Sequence, residues 1–72
     1  MNITSTIRQI RRNMYLNQVE FAHLLGISKS ALCLYEKGTR IPRLPTIKKL
    51  TDCAKKVHIK LSVNDFYKDE NK

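Results

Sequence analysis

The amino-acid sequence predicts an all-α domain of four to five short helices, and three observations predict it. From Ile3 to Val57, apolar residues recur at the three- and four-residue spacing of amphipathic helices. Glycine occurs only twice, at Gly26 and Gly38, each just after such a stretch, where a helix end favours a residue free to adopt the left-handed conformation. At 72 residues the chain has the length of one small domain. A domain of this size buries only about 60% of its unfolded surface, so a second copy would add useful burial.

The elements follow in order. Ile3, Ile7, Ile10 and Met14 form one stripe with Arg8, Gln9, Arg11 and Arg12 around it, which predicts a first helix over about 3–14. Asn17 followed by Glu20 is the pattern of a capping box, and it opens a second helix over about 18–25 that Gly26 closes. Ser28 caps a third helix over about 28–37, ended by Gly38. Pro42 then forbids helix through the loop 39–43. Pro45 suits the first turn of a fourth helix, whose stripe is Ile47, Leu50, Ala54 and Val57. From there the period changes: Val57, Ile59, Leu61 and Val63 alternate with polar residues. That predicts a C-terminal strand, while Ser62 to Tyr67 would otherwise serve as a fifth helix. The domain is expected to run over 1–67, with a frayed polar tail at 68–72.

Charge narrows the function. Fourteen Lys and Arg oppose six Asp and Glu, a net charge of +8, which calls for a polyanionic partner. Cys33 and Cys53 lack the spacing of a zinc site or a disulfide framework and read as reduced thiols. The N-terminus has no apolar run of a signal peptide and no stretch reaches transmembrane length, so the expected location is the cytoplasm, with no membrane association. No nucleophile, base and orienting group come together and no glycine-rich phosphate loop is present, so neither an enzyme nor a cofactor or metal is expected.

Only Gly26-Ile27-Ser28 separates the second helix from the third, and so short a link forces a sharp corner. Ala22 supplies the small side chain that such a corner needs, which is the pattern of a helix-turn-helix. Glu36 falls in the last turn of the third helix, where the helix dipole disfavours a carboxylate, and so requires a cationic partner. With Leu32 and Tyr35 turned inward at 100° per residue, Ser30, Cys33, Leu34 and Lys37 face outward and Lys29 lies at the edge.

Residues 7–51 resemble the phage repressor and Cro family, also called the XRE family. The stretch from Leu16 to Ser28, with its Leu-Asn-Gln-x-Glu-x-Ala start, and the stretch from Tyr35 to Pro42, with its Glu-x-Gly-x-Arg-x-Pro finish, carry the resemblance. It implies a lambda-repressor-like bundle and a buried ion pair between Arg11 and Glu36. It also implies that Lys29, Ser30 and Leu34 read base edges in the major groove; Cys33, on the same face, is grouped with them. Asn17, Gln18, Lys37, Thr39, Arg40 and Arg43 are the implied phosphate contacts. The expected function is a sequence-specific transcriptional regulator, a repressor in the first place, bound as a homodimer to a pseudo-palindromic double-stranded operator. The expected dimerisation segment is 57–66, with Val57, Ile59, Leu61, Val63 and Phe66 at the contact. RNA polymerase is a further partner that this reading allows. The alternative is an antitoxin that chiefly neutralises a toxin protein and binds DNA for autoregulation.

Overall fold

The computed structural model of the chain describes residues 3–67, so the expected tail at 68–72 lies outside the described residues. Four helices form: α1 over Ile3–Asn13, α2 over Gln18–Leu25, α3 over Lys29–Lys37 and α4 over Leu44–Lys56. A single 3-10 turn, Val63–Phe66, follows. The fold is all-α, and no strand is present among the described residues.

One core joins all four helices. Ile7 and Ile10 from α1, Phe21, Ala22 and Leu25 from α2, Leu32 from α3, and Ile47, Leu50, Cys53 and Ala54 from α4 are buried together. Burial also pushes the Cys53 thiol above its ordinary pKa, with Asp52 adding to the effect and Lys56 opposing it. Cys53 therefore stays a neutral packing group.

The helix starts obey local chemistry. The Asn17 side chain accepts from the Glu20 N–H at 2.8 Å, and Glu20 Oε1 accepts from the Asn17 N–H at 2.9 Å, so the capping box of α2 is closed. Ser28 Oγ accepts from the Ala31 N–H at 3.0 Å and starts α3.

All four helices end in the same hydrogen-bond motif, in which two N–H groups turn back onto the last carbonyls around one left-handed residue. At α2 that residue is Gly26, with the Ile27 N–H donating to the Ala22 carbonyl at 3.0 Å. At α3 it is Gly38, with the Thr39 N–H donating to the Leu34 carbonyl at 3.1 Å. At α1 and α4 the same place is held by Tyr15 (φ 60°) and His58 (φ 61°). There the Leu16 N–H donates to the Arg11 carbonyl at 3.2 Å, and the Ile59 N–H to the Ala54 carbonyl at 2.8 Å.

The left-handed turn at His58 is why the alternation from Val57 to Val63 does not become a strand. It uses the Ile59 N–H inside the cap and turns the chain back toward α4. Val57, Ile59, Leu61 and Val63 then pack, partly buried, against the core. The Asp65 carboxylate accepts from the Ser62 N–H at 2.9 Å and starts the 3-10 turn, which delivers Phe66 into the core at 5% exposure. Phe66, expected at a dimer contact, instead completes the protomer's own interior.

Candidate nucleic-acid interface

The site is built around Glu36, a carboxylate only 3% exposed near the C-terminal end of α3. Arg11 Nε donates to its Oε2 at 2.8 Å, and Arg11 Nη2 approaches Oε1 at 3.4 Å. Gln18 Nε2 donates to the same Oε1 at 3.0 Å. A charge at the wrong end of the helix dipole is thus met by one guanidinium and one amide, from α1 and from the start of α2. Arg11 also reaches the Leu16 carbonyl at 3.3 Å, so one side chain ties the α1–α2 link to α3. No buried side-chain nitrogen or oxygen among the described residues lacks a partner.

Further cations brace the corner. Arg8 Nη2 donates to the Glu36 backbone carbonyl at 3.1 Å, and Lys49 Nζ to the Leu25 carbonyl at 3.3 Å. Each covers a carbonyl at a helix C-terminal end, where a cation is favoured. Neither contact is legible in the sequence, because both cross between helices and have no local pattern.

The residues expected to read bases divide. Lys29 and Ser30, in the first turn of α3, are exposed. Leu34 is half-buried, with part of its side chain still open. Cys33, expected to face outward, is also half-buried, and its thiol donates to Gln18 Oε1 at 3.5 Å. The start of α2 closes over that side of α3, a tertiary contact that a helical wheel does not contain.

Among the expected phosphate contacts, Asn17, Lys37, Thr39, Arg40 and Arg43 are exposed. Thr39 Oγ1 donates to the Leu34 carbonyl at 3.2 Å, which gives it a second role in ending α3. Arg11, Asn17, Gln18, Val19 and Lys29 line one shallow, open depression where α2 begins beside the start of α3. Its polar lining consists of two cations, two amides and a helix N-terminus, all suited to an anion. No group of His, Cys, Asp or Glu placed to hold a metal ion occurs among the described residues, and no helix of theirs is long and apolar enough to cross a membrane.

This short corner between α2 and α3, braced from α1, is a helix-turn-helix. A helix-turn-helix family profile matches residues 7–60, and the chain belongs to that family, in its phage repressor and Cro branch. Over 47 residues, 65% of this chain, it is 45% identical to the cryptic phage CTXphi transcriptional repressor RstR of Vibrio cholerae. That match spans 42% of the relative, less than half its length. No solved structure gives a significant match.

Proposed function

We propose that the protein is a sequence-specific, double-stranded DNA-binding transcriptional repressor that reads a pseudo-palindromic operator as a homodimer. The observation that carries this reading is the placement of the exposed Lys29 and Ser30 beside the anion-suited depression at the start of α2. Base-reading and backbone-anchoring groups then meet one duplex together. Lys29 donates to guanine O6 and N7, Ser30 pairs with an adjacent base, and the open part of Leu34 meets a thymine methyl. Asn17 and Gln18 at the helix N-terminus, with Lys37, Thr39, Arg40 and Arg43, hold the phosphates and set the register. A net charge of +8 supplies the salt-dependent part of the affinity.

Repression follows from occupancy: a protein seated on an operator excludes RNA polymerase from it. The likeness to a phage transcriptional repressor supports that sign of regulation. The family acts by binding, with no catalysis, and cytoplasmic DNA is where such a protein works. A second copy doubles the short footprint of one recognition helix. The part-exposed edges of Val57, Ile59, Leu61 and Val63, with Tyr67 at 58% exposure, offer the apolar surface for that pairing.

Selection of bound duplexes from a random pool tests the reading. Enrichment of an inverted repeat with half-sites about one helical turn apart is expected. A pool that stays random after repeated rounds would show a non-specific binder.

A further inference from the structure

The thiol of Cys33 has no place in direct base reading, since its one proton points at a neighbouring side chain. Its partner, Gln18 Oε1, lies 3.5 Å away, an ordinary separation for a sulfur donor. Gln18 is held at its other end as well, where Nε2 donates to Glu36 Oε1 at 3.0 Å. These two contacts decide how the amide is oriented. A carboxylate can only accept, so Glu36 admits the nitrogen end of the amide and repels the oxygen end. The oxygen end then needs a donor, and the thiol provides one.

We propose that Cys33 is a positioning residue for DNA-backbone binding, its thiol locking the Gln18 amide so that one N–H is left to face an anion. The Gln18 nitrogen carries two hydrogens, and Glu36 takes one. The second is not used by any other bond among the described residues, and Gln18 lines the depression shared with Arg11, Asn17 and Lys29. A phosphate oxygen seated there accepts that N–H without any rotation of the side chain. Without the thiol, Glu36 alone would hold the amide by its nitrogen end, the oxygen end would lack a donor, and phosphate binding would have to restore the lost order. Arg11, Glu36, Gln18 and Cys33 thus form one chain of contacts from α1 through α3 to the start of α2 and back to α3. The inference rests on the reading of the depression as a phosphate seat.

Two measurements on the full chain test it. In the free protein, the Gln18 side-chain amide should give a high NMR order parameter that falls in Cys33→Ala and recovers in Cys33→Ser, whose hydroxyl also donates. On DNA, Cys33→Ala should weaken binding to operator and to random duplex alike, by about threefold, the effect of losing one weak hydrogen bond. Base preference should be unchanged, and Cys33→Ser should restore the affinity. In a Gln18→Ala background, Cys33→Ala should cost nothing more. Loss of preference at a single base pair, or an equal loss in the Gln18→Ala background, would overturn the proposal. An unchanged Gln18 order parameter in Cys33→Ala would overturn it without any DNA. A wild-type protein that bound no duplex would contradict the functional reading instead, and the order parameter would still decide the role of Cys33.

Discussion

The two helix ends that flank α3 are closed by glycine, whereas the ends of α1 and α4 are closed by Tyr15 and His58 in the same left-handed conformation. The hydrogen bonds are the same at all four places, so the motif alone does not demand glycine. What differs is the neighbouring chain. A Cβ on Gly38 would lie 2.9 Å from Thr4 Cγ2, and one on Gly26 would lie 3.1 Å from Lys49 Nζ. Tyr15, by contrast, is 93% exposed, and His58 is exposed too. Around α3, a side chain at Gly38 would clash with α1, and one at Gly26 would have to push the Lys49 ammonium aside. Where the turn lies open to solvent, a non-glycine residue fits and bears only the backbone strain. Close approach and a buried ion pair thus hold α3, while caps and apolar packing hold the outer ends.

The largest expected effect lies at the centre of the close-packed region. Glu36→Ala removes the acceptor of Arg11 and Gln18. Loss of one partner from a buried pair costs about 3–5 kcal/mol. Arg11, whose side chain is 17% exposed, can turn partly to water, so the low end, about 3 kcal/mol, is expected. Thermal unfolding should show Tm lowered by more than about 10 °C. An unchanged Tm would mean that α3 is held by packing alone.

Next come the glycines. Gly38→Ala should cost about 2 kcal/mol, from the left-handed strain together with the contact on α1. Gly26→Ala should cost about 1 kcal/mol, because the end of a lysine side chain moves aside easily. Equal losses in denaturant titrations would remove close approach from the comparison and leave backbone strain alone. At the open ends the sign reverses. Tyr15→Gly and His58→Gly relieve the left-handed strain, and each should stabilise by about 0.5–1 kcal/mol. A destabilised Tyr15→Gly would reveal a contact of the tyrosine ring that its exposure conceals.

The smallest effect on the fold is expected at Tyr67→Asp, since Tyr67 is 58% exposed and lies outside the core. The new carboxylate follows the last residue of the 3-10 segment and leaves Phe66 in place. Tm extrapolated to low protein concentration should therefore stay within a degree or two, on the order of a surface change. Sedimentation equilibrium should nevertheless show weaker dimers, since a charge enters the proposed contact. Dimers of unaltered strength would move the interface away from Tyr67 and the 3-10 segment before it.

The same contrast explains how much was legible in the sequence. The first and fourth helices follow from their apolar stripes, the second and third from their caps at Asn17 and Ser28, and the ends at Gly26 and Gly38 from glycine itself. The partner of Glu36 needed the family pattern as well as the helix dipole. The left-handed turns at Tyr15 and His58 carry no glycine, so the alternation after Val57 looked like a strand and Phe66 looked available to a second copy. Cys33, Arg8 and Lys49 were misread or missed for another reason. Their partners, Gln18, Glu36 and Leu25, lie on other helices, and residue spacing within one helix says nothing about them.

In the proposed function, the first turn of α3 reads sequence, while the loop after it only anchors. Competition binding of operator against random duplex, over a range of salt, tests this for Lys29→Ala and Arg43→Ala. Lys29→Ala should lose about 1–3 kcal/mol on the operator and relax preference at one base pair. Arg43→Ala should weaken both duplexes equally and lower the salt slope by about one unit. If Lys29→Ala instead weakened operator and random DNA to the same degree, α3 would not be the reading element.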